Sequence, residues 1–276
     1  MPKSIKRILR PIIGKQSRLY SAIKSLRGGA ETAAPVAETN EAPNLRITSV
    51  TPQVRACYPD IVEEEFWAIA DKCLPYTLTQ IARLYGLYKA TEYVQVHKIP
   101  GAIIECGVWL GGSVMAAAET LHHLGCTDRE FYLFDTFTGM TAATKFDVDL
   151  TGVEQSTLPQ IVLNWPSCIE QTKANLRKTA YPFDRFHFLQ GPVEETIPGG
   201  APGRIALLRL DTDWYESTRH ELEHLYPRLV SGGVLIIDDY GHFRGARKAV
   251  DEYFARNKEK ILFQRVDYTA RMAIKP

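Results

Sequence analysis

The stretch from Ala102 to Leu124, AIIECGVWLGGSVMAAAETLHHL, passes from an apolar segment through a glycine turn into an amphipathic one. Ala102, Ile103 and Ile104 have the character of a strand buried on both faces of a parallel sheet. From Ser113, read as an N-cap, Val114, Ala117, Leu121 and Leu124 recur at helical spacing until Gly125 closes the segment. The pattern predicts strand, loop and helix, with Gly107, Gly111 and Gly112 where backbone amides face a ligand above a sheet. Such a unit commits the chain to an open α/β architecture.

Spacing narrows the ligand. A dinucleotide fingerprint, G-x-G-x-x-G, needs its second glycine where Val108 is followed by Trp109, which disfavours a dinucleotide oxidoreductase. A P-loop needs G-K-[ST], and Gly112 is followed by Ser113 without a lysine. Glu105, entering the turn, would oppose a pyrophosphate and suits a cationic, hydroxyl-rich ligand. S-adenosylmethionine (SAM), with an ammonium and a sulfonium, fits that description. The bland alternative is a packing turn with Glu105 in water. Phe131 to Asp135, FYLFD, reads as a second buried strand whose closing carboxylate stands where an acid accepts ribose hydroxyls.

The remaining elements follow the same alternation. Helices are expected over Glu63 to Cys73 and, capped by Thr79, over Gln80 to Val96. They form a candidate helical lid over about 60–98, with Thr77 and Thr79 either facing the cofactor or only capping helices. Asp147 to Pro166 reads as a loop over the site, Ser167 to Leu176 as a helix, and Phe186 to Gln190 as a strand leading to Val193. Ile205 to Leu210 is a strand ending in Asp211-Thr212-Asp213. A capping box, Thr218 to Glu221, opens a helix that Gly232 and Gly233 stop. Val234 to Ile237 is a strand closing on Asp238-Asp239, a helix carries Ala246, Ala249, Val250, Tyr253 and Phe254, and Phe263 to Val266 with Arg271 to Ile274 form an antiparallel hairpin. The fold expected is a doubly wound, mostly parallel, seven-stranded sheet.

Three carboxylates at converging strand ends repel unless a cation lies among them. An all-oxygen set without a His or Cys cluster points to Mg²⁺ or Ca²⁺ before Zn²⁺. Spacing leaves open whether Asp211 or Asp213 joins Asp238 and Asp239, and the bland alternative is aspartates that cap helices or end strands in water.

Charge and cysteine content restrict partner and compartment. With 33 Lys plus Arg against 32 Asp plus Glu, the chain has no general affinity for nucleic acid, and a small-molecule partner is expected. Cys57, Cys73, Cys106, Cys126 and Cys168 are odd in number and in no metal-ligand spacing, as in a reduced cytoplasmic protein. No apolar run approaches a membrane span. Residues 1–27 carry Lys3, Lys6, Arg7, Arg10, Lys15, Arg18, Lys24 and Arg27 and no acid, and the linker that follows to Asn44 lacks bulky residues. Domains are therefore drawn as a basic arm with a disordered linker at 1–44 and one globular domain at 45–276. The arm reads as peripheral membrane contact, or as a mobile arm or a strap on a neighbouring subunit of a homo-oligomer.

The segments TLTQIARLYGLYKA, IPGAIIECGVWLGGS, FDTFTGM, LLRLDTDWYEST and LYPRLVSGGVLIIDDYG together resemble the macrocin O-methyltransferase family of SAM- and Mg²⁺-dependent sugar O-methyltransferases, over roughly Tyr76 to Tyr253. The resemblance implies a class I methyltransferase fold, with SAM at Glu105, Gly107, Gly111, Gly112, Ser113 and Asp135, and with Thr136, Gly139, Thr77 and Val193 nearby. It implies Mg²⁺ on Asp211, Asp238 and Asp239, Asp211 as the base, and a hydroxylated, glycosylated acceptor. Thr212 and Trp214 depart from the family pattern, and Trp214 is expected to reshape the acceptor pocket. Two rival readings remain: a catechol or phenol methyltransferase on the same fold, and a non-catalytic nucleotide-binding module.

Overall fold

The computed structural model describes residues 46–159, 167–197 and 199–276. The basic arm and its linker lie outside the described residues, as do residues 160–166 of the expected loop at 147–166. Among the described residues a seven-stranded sheet holds the chain together. Its strands are β1 (Ala102–Cys106), β2 (Phe131–Asp135), β3 (Phe186–Gln190), β4 (Ile205–Leu210), β5 (Leu229–Ile237), β6 (Gln264–Arg265) and β7 (Arg271–Ile274). The spatial order is β3-β2-β1-β4-β5-β7-β6, parallel from β3 to β5 and antiparallel at β7 and β6. The chain reverses direction across the sheet between β1 and β4, so the crevice beyond their carboxyl ends is where such a fold takes ligands.

The helices are α1 (Pro52–Ala56), α2 (Glu64–Cys73), α3 (Ile81–Val96), α4 (Gly112–His123), α5 (Ile169–Leu176), α6 (Val193–Thr196), α7 (Tyr215–Leu225) and α8 (Arg244–Arg256). Alternation along the strands sorts the core into two layers. Ile103, Leu133, Leu207 and Val234 share one apolar cluster with Phe66, Leu84 and Leu121 of α2, α3 and α4. Ile104, Leu208 and Leu235 share the other with Leu222, Leu225 and Val250 of α7 and α8. The two helices expected as a lid are thus part of the first layer, with Phe66, Leu84 and Val94 fully buried. No separate cover made of them is seen.

Four local expectations are corrected. Ser113 does not cap α4: the N-cap is Gly111, at φ +88, and Ser113 lies within the first turn. Thr79 does not cap α3, which begins after Gln80 without a side-chain cap. Thr218 to Glu221 falls inside α7, whose first turn is three residues earlier. Pro227, in a 3₁₀ turn, ends that helix, while Gly232 and Gly233 belong to β5, where the Gly232 amide (φ +78) donates to the Lys275 carbonyl and the Lys275 amide to the Gly233 carbonyl.

Candidate functional site

Strand period decides which way the polar residues of β1 and β4 point. Glu105 and Arg209 lie opposite each other in the β1–β4 register and share the face of Ile103 and Leu207, toward α3 and α4. Both are almost wholly buried. Arg209 Nη1 donates to Glu105 Oε1 at 2.6 Å and lies 2.7 Å from Asp211 Oδ2. Its Nη2 donates to Asp238 Oδ1 at 2.7 Å and to Thr79 Oγ1 at 3.0 Å. Arg83, reaching from α3, pairs with the other oxygen of Asp238, and its Nε lies 3.1 Å from Asp267 Oδ2. Arg209 and Arg83 were missed in the sequence. A single cation inside the otherwise apolar run IALLRL is the signal that marks the first, since an unpaired buried guanidinium is not tolerated.

The glycine turn is shaped from several sides. Gly107 (φ +84) lies so close to the next strand that a Cβ would stand 2.0 Å from the Asp211 carbonyl oxygen. Gly112 is as tightly pressed, with Tyr76, Cys73 and Thr77 backbone atoms within 2.7 Å of any Cβ placed there. That contact delivers Thr77, whose hydroxyl lies 3.3 Å from Ser113 Oγ and accepts the Thr79 amide at 3.0 Å; Thr79 Oγ1 is 3.4 Å from the same serine. Thr77 and Thr79 therefore do face the turn. Asp135 Oδ2 accepts the amides of Val108 and Trp109 at 2.7 and 2.8 Å, and Oδ1 accepts that of Phe137 at 2.6 Å. Trp109, held at φ +49, is fixed from below as well, because Thr172 and Asn175 of α5 donate to the carbonyls of Trp109 and Leu110. The Arg46 guanidinium covers its ring at 4.9 Å. Thr136 donates to the Gly139 carbonyl, closing the turn after β2. Val193 is buried at the start of α6 among Phe134, Ile197 and their neighbours in the second core layer.

Among the described residues, Asp211, Asp213 and Asp239 place one carboxylate oxygen each within 4.8 Å of one another. That limit admits the roughly 3 to 4 Å that separates the oxygens around one Mg²⁺ at a bond length of about 2.1 Å. Asp213 reaches the cluster because the loop after β4 turns through φ +68 there and its amide donates to Asp239 Oδ2 at 3.2 Å. Asp238 is arranged otherwise, with its two oxygens on Arg209 and Arg83.

The electrostatics separate the two kinds of carboxylate. Burial pushes Asp238 up, but Arg83 and Arg209 outweigh it and hold the group below the usual carboxylate range. Burial and the neighbouring acids drive Asp211 and Asp239 well above that range. Asp213, raised chiefly by burial, sits at about 7, and Glu105, raised by burial against the pull of Arg209, also at about 7. A cluster of acids whose charges are this poorly compensated is suited to a divalent cation. His242, nearby after β5, is driven down by burial and stays neutral.

The loop from Asp211 continues into a wall. Thr212 Oγ1 donates at 2.9 Å to Glu221, a fully buried carboxyl of α7. Trp214 is buried, with its indole N–H on the Thr141 carbonyl at 3.1 Å and its ring edge-on to Phe243 at 5.2 Å. Asp147 accepts the Tyr215 amide at 2.7 Å, which ties the described part of the 147–166 loop to the same wall.

The profile of the macrocin-O-methyltransferase family matches residues 44–273. An 8-demethyl-8-(2,3-dimethoxy-α-L-rhamnosyl)-tetracenomycin-C 4′-O-methyltransferase from Streptomyces olivaceus is 38% identical over 185 residues, 66% of this chain and 68% of the relative. A mycinamicin III 3″-O-methyltransferase from Micromonospora griseorubida is 31% identical over 182 residues, 66% of this chain and 71% of that one. The solved structure of the O-methyltransferase NovP superposes with a TM-score of 0.64 at 27% identity, over 72% of this chain and 82% of NovP.

Proposed function

Because the chain belongs to the macrocin-O-methyltransferase family, we propose that it transfers a methyl group from SAM to a sugar hydroxyl of a glycosylated small molecule, with Mg²⁺ as cofactor. The observation that carries this reading is the juxtaposition of the glycine turn, with Glu105 at its mouth, and the cluster Asp211, Asp213 and Asp239 at the ends of the neighbouring strands. The two similar enzymes act, by name, on a rhamnosyl-bearing tetracenomycin and on mycinamicin III, which supports a glycosylated acceptor.

On this reading Glu105 receives the cofactor's ammonium, with Thr77, Ser113 and the side-chain-free backbone of Gly107, Gly111 and Gly112 around the methionine end. Asp135 holds the turn open through the Val108 and Trp109 amides and keeps lone pairs for the ribose. Thr136 and Gly139 form the rim on that side. Asp211 and Asp239, joined by Asp213, would hold the cation, which would supply a lower pKa to the acceptor hydroxyl. Asp211 would take the hydroxyl proton as the oxygen forms its bond to the methyl carbon; the carbon–sulfur bond breaks with its electron pair on sulfur, which leaves the cofactor as a neutral thioether. Positioning the two reactants in line contributes roughly 7 to 11 kcal/mol of barrier reduction. Trp214, Phe243 and the loop that Asp147 anchors keep water from the reacting atoms, which favours a step that discharges a cation.

The test is incubation with methyl-labelled SAM and Mg²⁺ against matched panels of glycosylated and catechol acceptors, read by product mass spectrometry. Label on a sugar hydroxyl is expected. Label on catechols alone would replace the acceptor class, and SAM binding without turnover on any acceptor would favour a binding module.

A further inference from the structure

One nitrogen of Arg209 serves both halves of the site. Nη1 contacts Glu105, on the side of the glycine turn, at 2.6 Å and Asp211, in the aspartate cluster, at 2.7 Å. Nη2 is held independently by Asp238 and Thr79, so the guanidinium cannot leave; it can only divide Nη1 differently between its two carboxylates. The group is 2% exposed, and water cannot take the place of a lost partner. We propose that Arg209 is a positioning residue that links the two halves, so that a divalent cation on the aspartates loosens the demethylated cofactor, S-adenosylhomocysteine (SAH), and favours its release. The proposal rests on the methyltransferase reading above.

The sign follows from the sharing. A cation that draws Asp211 toward itself leaves Nη1 wholly to Glu105. The ammonium of the cofactor must then compete with a fully engaged guanidinium for that carboxylate. The converse holds by thermodynamic necessity: cofactor on Glu105 turns Nη1 toward Asp211, where it opposes the metal to the same degree. SAH carries an ammonium and a carboxylate and no sulfonium, so direct repulsion between it and the metal is small. What is measured with SAH is mainly what Arg209 transmits.

Calorimetric titration of the full chain gives the SAH dissociation constant with and without saturating Mn²⁺, and the Mn²⁺ constant with and without SAH. We expect each ligand to weaken the other by the same factor, about five-fold or more. Arg209→Lys keeps one charge but reaches one carboxylate at a time, and the factor should fall toward one while both ligands still bind. Glu105→Gln removes the charge at the other end of the bridge and should abolish the factor even though SAH binds more weakly. A merely structural arginine would lower the melting temperature and both affinities without changing their ratio. A factor of one in the parent, or an undiminished factor in Arg209→Lys, overturns the proposal, and the parent measurement decides even where a variant fails to fold. A parent that binds neither SAH nor Mn²⁺ would instead remove the methyltransferase reading and this inference with it.

Discussion

Gly107 lies flat against the backbone of Asp211, close enough that a Cβ on the first would stand 2.0 Å from the carbonyl oxygen of the second. The turn proposed for the cofactor and the residue proposed as base therefore share one wall. Gly107→Ala must push β1 and β4 apart at their carboxyl ends, beyond the roughly 1 to 2 kcal/mol of left-handed strain. We expect a loss of several kcal/mol, on the order of 3 or more, and no measurable SAH heat. Gly125→Ala is the control, since φ there is +73 and nothing lies within 4 Å of an added Cβ. It should lose about 1 kcal/mol in urea denaturation and keep SAH binding.

Asp211→Asn keeps the shape and one oxygen for the proposed cation but removes the proposed proton acceptor. The rate should fall roughly 10²- to 10⁴-fold at saturating Mg²⁺, with SAH still bound. Initial rates across a metal titration check this, and full rescue by excess metal would reduce Asp211 to a ligand.

Asp238→Asn leaves Arg209 and Arg83 facing each other across a neutral amide. Breaking a buried pair by removing one partner typically costs about 3 to 5 kcal/mol, and this carboxylate has two partners. Denaturant melts should show a loss in that range; a change under 1 kcal/mol would mean that the network contributes little to the fold.

Glu221→Gln tests a buried acid with one oxygen on Thr212 and the other without a hydrogen-bond partner. Burial raises this carboxyl well above the ordinary range, so it is neutral in the fold and ionises readily only in the unfolded chain. Its contribution is complete below the unfolded pKa, about 4.3, and is lost as pH rises toward the folded value. Glutamine does not titrate and can still accept from Thr212. The variant should match the parent near pH 4 and melt several degrees higher at pH 8, where 1 kcal/mol moves the midpoint by about 2 to 4 °C. A constant difference across pH would show that Glu221 does not titrate this way.

A chain starting at residue 44 keeps the whole compact unit from Arg46 onward, including the Arg46 contact with Trp109. It should fold with an unchanged melting temperature and bind SAH as the full chain does. If it folds but loses turnover, the arm completes the site.

The sheet was legible because its strands are short apolar runs bounded by glycine, proline or aspartate: β2, β3 and β4 have the boundaries that the sequence gives them, and the glycine turn is where Ile104 and Ser113 bracket it. Helix starts were less so. Gly111 and Gln80 open helices without a capping side chain, because Ser113 and Thr79 spend their hydroxyls on each other, and Thr79 also on Arg209. The sorting of the aspartates was not legible either. The sequence pattern puts Asp238 with Asp211 and Asp239 and leaves Asp213 only as an alternative to Asp211, and what distinguishes the two in the structure is the positive φ of Asp213 and the two arginines on Asp238. Arg83 is invisible to any local pattern, since on α3 it looks like an ordinary surface residue and its partners come from the far end of the chain.

That last feature has a bearing on biosynthesis. Arg83 meets Asp238 and Asp267, partners made more than 150 residues later. Such distant pairings form late, after the loops between them have closed. A nascent chain that has emerged just past β5, through Asp239, already carries Asp211, Asp213, Asp238 and Asp239, but Arg83 has not yet been fixed between its two acids by the β6–β7 turn. The acidic pocket thus takes its final form only when the β6–β7 turn has left the ribosome, so a product cut short before Asp267 would present an unfinished aspartate cluster in the cell.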